Sequence, residues 1–181
     1  MAAAIPKQVW DEFKTAFEKA LDGAGEAKML QAWKTLPQKT EFYERVLMPA
    51  IGDQLGLTFQ IERLRCDYTF LDPDRVPLIA IESENCHPSA WQEMESLCSL
   101  AAPVKALILS CEWEDSQERK FLPRWTEIIR KHHAVVSMDC LYAIIVGEWS
   151  DKSSRVEYSF TAIEPSGNTL PKTFHWIGKT Q

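Results

Sequence analysis

Val9, Trp10, Phe13, Phe17, Ala20 and Leu21 recur at the three- and four-residue spacing that gathers apolar side chains on one face of a helix, predicting a helix over about 6–22. Pro6 suits its first turn, and Gly23 and Gly25 stop it. A short helix is expected over about 26–35, where Met29, Leu30 and Trp33 come together before Leu36 and Pro37 end it. Thr40 is placed to cap a third helix over about 41–54, striped by Phe42, Val46, Leu47, Ala50 and Ile51. Pro49 kinks that helix or splits off its last turn. From Thr58 the pattern turns extended. Runs over 58–64, 66–71 and, after the turn Asp72-Pro73-Asp74, 77–84 predict a three-strand meander.

Helical spacing returns over about 89–101 with Ala90, Trp91, Met94, Leu97, Cys98 and Ala101, and Pro103 closes it. Val104 to Cys111 is apolar enough for a buried strand, so strand, helix and strand imply a parallel crossover. An acidic loop, Glu112 to Glu118, precedes a helix beginning near Pro123, which carries Trp125, Ile128 and Ile129. It ends in Arg130, Lys131, His132 and His133, cations that complement a helix C-terminus. Residues 141–149 and 155–163 read as a hairpin around Asp151-Lys152-Ser153-Ser154, and 173–177 as a last strand. The class expected is α/β, a mixed central sheet flanked by helices with an added C-terminal hairpin.

At 181 residues the chain has the size of one domain, 1–181, and 45% apolar and 25% charged residues are ordinary globular proportions. No apolar run suffices for a membrane span, and no signal peptide precedes Lys7, Asp11 and Glu12, so a cytoplasmic protein without a membrane partner is expected. Cys66, Cys86, Cys98, Cys111 and Cys140 are odd in number and lack a CxxC pair, which reads as reduced core thiols; Cys86 beside His87 is too few ligands for structural zinc. A net charge of −6 argues against a general nucleic-acid coat but leaves room for a local basic rim. Lys105, Arg119, Lys120, Arg124, Arg130 and Lys131 are the candidates for that rim. Trp10, Trp33, Trp91 and Trp125 fall on apolar stripes and are expected in the core. Glycine-rich phosphate loops and nucleophile elbows are absent.

The chemistry lies in Arg65-Cys-Asp-Tyr-Thr-Phe-Leu and Pro77-Leu-Ile-Ala-Ile-Glu-Ser-Glu-Asn. Two neighbouring strands there carry Asp67, Glu82 and Glu84 into an apolar sheet. Glu82 and Glu84 share one face, opposite Ile79, Ile81 and Ser83. Such carboxylates repel unless a cation sits among them. Arg63, Arg65 or Lys105 would make them plain ion pairs, whereas Mg2+ or Mn2+ would make them a phosphodiester-cleaving site.

The order helix, three-strand meander, helix, strand, with an aspartate on the second strand and Glu-x-Glu on the third, resembles the core of the PD-(D/E)XK nuclease-like superfamily. The resemblance spans about residues 40–111 as a restriction-endonuclease-like αβββαβ core, with 1–39 a helical extension and 112–181 a helix plus C-terminal strands. It implies that Asp67 and Glu82 are catalytic metal ligands and that Glu84 stands where the motif's lysine usually is, as a second ligand or general base. It also implies that Glu44 matches a further acidic ligand on the preceding helix. By the same resemblance the function is Mg2+-dependent hydrolysis of DNA or RNA; the alternative is a catalytically inactive nuclease-fold subunit that binds a protein partner.

Overall fold

The stripe of Val9, Trp10, Phe13, Phe17 and Leu21 makes helix α1 (Pro6–Ala24) amphipathic, and these side chains are buried. They dock on a seven-stranded sheet. The computed structural model describes residues 6–85, 88–150 and 155–177. Helices α2 (Glu26–Ala32) and α3 (Leu36–Phe42) follow. Pro37 opens α3 instead of ending α2, because Thr35, not Thr40, is its cap: the Thr35 hydroxyl accepts from Gln38 N–H at 3.4 Å. A π-helical turn, Tyr43–Leu47, then leads into α4 (Met48–Leu55). Pro49 sits in the first turn of α4, where its missing N–H does no harm, and the wider π turn lies just upstream.

Strands β1 (Thr58–Arg63), β2 (Cys66–Leu71) and β3 (Pro77–Glu84) form the antiparallel meander. The chain then crosses through α5 (Ala90–Cys98) to β4 (Val104–Leu109), and through α6 (Asp115–His133) to β5 (Leu141–Ser150). β3, β4 and β5 are mutually parallel. Antiparallel β6 (Arg155–Ile163) and β7 (Thr173–Ile177) complete the spatial order β1 to β7. The expected α/β class with a mixed sheet is therefore what the fold has. The acidic loop expected at 112–118 is largely the first turn of α6: a capping box, in which the Gln117 side chain accepts from Glu114 N–H, starts this helix eight residues before Pro123.

Alternation along the strands divides the core in two. Ile79, Ile81, Ala106, Ile108 and Tyr158 pack beneath α1 to α4, and Ala80, Leu107, Leu109 and Ile144 pack beneath α5 and α6. Tyr43 ties the first layer to the sheet, its hydroxyl 3.0 Å from both Ser110 Oγ and Tyr158 OH. Burial of this network pushes the Tyr43 hydroxyl up to about 12. Trp10 and Trp125 are buried as expected, but Trp91 is 46% exposed, since α5 turns Ala90, Met94 and Leu97 to the sheet and Trp91 away from it. Cys66, Cys98 and Cys140 are buried free thiols and Cys111 is half-buried; Cys86, His87 and the turn 151–154 lie outside the described residues. Among the described residues no helix is long and apolar enough to cross a membrane.

Candidate functional site

Register brings the first two carboxylates together. Tyr68 pairs with Ile81 and Thr69 with Ala80, so one step further along the antiparallel pair Asp67 stands across from Glu82. Side chains replace part of the ladder here. Ser83 N–H donates to Asp67 Oδ2 at 2.8 Å, and Asp67 N–H lies 3.4 Å from Glu82 Oε2. This exchange fixes both carboxylates at the edge where β2 begins and β3 ends.

Glu82 is only 4% exposed, and Glu82 and Glu84 share the sheet face of Ala80, under α5. Glu84 Oε2 lies 3.5 Å from the Ser89 hydroxyl at the start of α5. α5 contributes a fourth acid, Glu93, beyond the residues expected from the sequence. Its signal was available: an acidic residue in the first turn of the helix that directly follows the β3 carboxylates. Glu44, on the π turn, belongs to the other side of the sheet. There it lines a cavity of about 190 Å3 with Glu62, Asp67, Tyr68, Ser83 and Asn85. Asp67 thus borders both groups, while Glu44 and Glu84 stand on opposite faces.

The electrostatics are those of carboxyls lacking a counter-charge. Burial, with Asp67, Glu93 and Glu84 nearby, pushes Glu82 up to about 8 against the pull of the Asp67 N–H. Asp67 is raised by burial, opposed by the Ser83 N–H and reinforced by Glu62. Burial and then Glu84 and Asp67 raise Glu93. None of these four acids forms an ion pair among the described residues.

The three cations expected as partners are engaged elsewhere or stand apart. Lys105 is fully buried, with Nζ 3.3 Å from Cys98 O and 3.2 Å from Tyr142 OH, and burial lowers its pKa. It therefore belongs to no phosphate-binding rim. Arg63 reaches back to Gln60 at 2.7 Å, and Arg65 sits exposed in the β1–β2 turn. That turn is backbone-strained: Glu62, Leu64 and Arg65 have φ of 52°, 59° and 63° without a glycine among them. Of the remaining rim candidates, Arg130 and Lys131 pair with Glu127, and Lys120 and Arg124 face a groove between α5 and α6.

The donors suit a hard divalent cation in type. They are carboxylate oxygens, Glu82 is buried without a counter-charge, and Mg2+ needs only one or two carboxylates besides water and substrate oxygens. The nearby thiol of Cys66 is occupied, 3.2 Å from Thr69 Oγ1 and 3.0 Å from Arg63 O. Among the described residues no three His, Cys, Asp or Glu side chains are already drawn into a metal-holding group. Asp67 with Glu82 is thus the candidate pair, with Glu84 and Glu93 flanking it. Compared with protein-family models and with curated proteins, the chain matches none.

Proposed function

We propose that this chain is a PD-(D/E)XK-like protein that hydrolyses phosphodiester bonds of DNA or RNA with Mg2+ or Mn2+ at Asp67, Glu82 and Glu84. The observation that carries the reading is Glu82 itself: a carboxyl 4% exposed, pressed by three other acids, with no lysine or arginine paired to it among the described residues. Burying such a group for stability alone is unfavourable, and an apolar residue would serve the core better. Perturbed acids of this kind concentrate where proton or metal chemistry is done. The run of helix, meander, crossover helix and strand through residue 109 supports the restriction-endonuclease-like αβββαβ assignment.

In this reading Asp67 and Glu82 hold the ion, each fixed by a backbone N–H of the opposing strand. A divalent ion there would supply Lewis acidity, easing deprotonation of a water and offsetting charge on the phosphate. Glu84, held near the Ser89 hydroxyl, takes the attacking water's proton or serves as an additional ligand. Glu44 lies across the sheet from Glu84 and reaches the centre only through the Asp67 cavity, as a further ligand on that side.

The test is cleavage of plasmid DNA, single-stranded DNA and RNA with Mg2+ or Mn2+ by the wild type, Asp67→Ala and Glu82→Ala. Activity in the wild type and its loss in both variants is the expected result; equal activity in all three removes these roles. One feature favours a second reading, a catalytically silent subunit with a protein partner: Glu84 occupies the position where the resemblance expects lysine, so no cation is at hand to orient the water. A silent subunit would bind no divalent ion at this edge and would co-purify with a defined protein.

A further inference from the structure

A groove of about 870 Å3 runs between α5 and α6, inside the range of about 300–1,000 Å3 usual for ligand sites. Pro88, shortly after β3, and Ser116 and Gln117, at the start of α6 after β4, line one end of it, toward the carboxyl ends of β3 and β4 where Glu82 and Glu84 lie. Pro88 forms part of its wall, and the adjoining Ser89 is the residue whose hydroxyl meets Glu84. The groove and the carboxylates are therefore neighbouring features of one edge.

Its lining is aromatic and cationic. Trp91, 46% exposed, presents a large aromatic surface from α5. Lys120 and Arg124, one helical turn apart on α6, line the opposite wall, and neither is paired with a carboxylate among the described residues. Glu127 also reaches the groove, but Arg130 at 2.9 Å and Lys131 at 3.3 Å offset its charge. Behind them Trp125, fully buried, adds its ring to the wall, and its indole Nε1–H has no acceptor among the described residues. A large π-surface sharing a groove with two cations that have no carboxylate partner among the described residues, Lys120 resting 5.2 Å over the Phe121 ring, matches a base with its flanking phosphates. Two cations on a chain of net charge −6 are too few to clamp both strands of a duplex.

We propose that the α5–α6 groove is a subsite for single-stranded nucleic acid, with a base stacked on Trp91 and adjacent phosphates met by Lys120 and Arg124. The proposal rests on the phosphodiesterase reading for the use made of the strand, and on the groove alone for its binding.

Binding is measured on the full chain in EDTA, by anisotropy of short fluorescein-labelled oligo-dT and oligo-rU and of a duplex of the same length, across a salt series. The wild type is expected to bind the single strands more tightly than the duplex. Trp91→Ala should weaken that binding on the order of tenfold. Lys120→Gln with Arg124→Gln should flatten the slope of log affinity against log salt by about 1.4. Failure of the wild type to bind oligonucleotides, equal affinity for the duplex, or unchanged affinity and salt slope in the groove variants each overturns the proposal; in the first case the face is left to a protein partner. The two readings fail separately: single strands bound through Trp91 but never cleaved sink only the catalytic one. Cleavage with an unchanged KM in the groove variants sinks only this one.

Discussion

Replacing Glu82 by glutamine keeps the side chain's shape and the acceptor for the Asp67 N–H but removes its titration. In the fold this carboxyl is held up to about 8, mainly by burial; in the unfolded chain it ionises near 4.5. Between those values the folded state carries a proton that the unfolded state lacks, so stability is full below about 4.5 and is lost as pH rises toward 8. At about 1.4 kcal/mol per pH unit the loss reaches about 3 kcal/mol at pH 7 and about 5 kcal/mol above pH 8. Urea unfolding in EDTA at a series of pH values, wild type against Glu82→Gln, reads this loss directly. The two proteins should agree within about 1 kcal/mol at pH 4.5, where Glu82 is protonated in the fold, and separate as pH rises, with the variant the more stable by about 3 kcal/mol at pH 7. In a chain of this size such a gap moves Tm by about 6–12 °C. Parallel pH profiles would mean that Glu82 ionises normally and is not buried without a counter-charge.

Two further outcomes follow from the same structure. Arg65→Gly, at a φ of 63° in the exposed β1–β2 turn, should raise stability by about 1 kcal/mol in thermal or urea unfolding, since glycine adopts that conformation without strain. Gly147→Ala should lower it by about 1–3 kcal/mol, because an added Cβ would meet the rings of Tyr158 at 2.8 Å and Trp33 at 3.0 Å.

Strong local patterns were legible in the chain. The stripe from Val9 to Leu21, the alternation that puts Ile79 and Ile81 opposite Glu82, and the apolar runs of β4 and β5 each follow from one period. Boundaries set by a single hydrogen bond were less so. Thr35 displaced Thr40 as a cap, and Glu114 with Gln117 started α6 well before Pro123, because capping depends on which polar side chain reaches a free N–H. At the site, the pairing of Asp67 with Glu82 was readable from strand order. Glu93 was legible only as an acidic residue in the first turn of the next helix; its approach to Glu82 depends on how α5 lies across β3. Lys105 was misread for a related reason: its charge suggested a surface, while its even alternation with Leu107 and Leu109 already placed it on a buried face.

The proposed function requires Asp67 and Glu82 to offer a divalent cation a place between them. Isothermal titration of the metal-free protein with Mn2+, repeated on Asp67→Asn and Glu82→Gln, addresses it without requiring a substrate. One saturable site in the wild type, lost in both variants and accompanied by proton release from Glu82 near pH 7, is the predicted result. Heats of dilution alone in the wild type, or the same site retained in both variants, would contradict it.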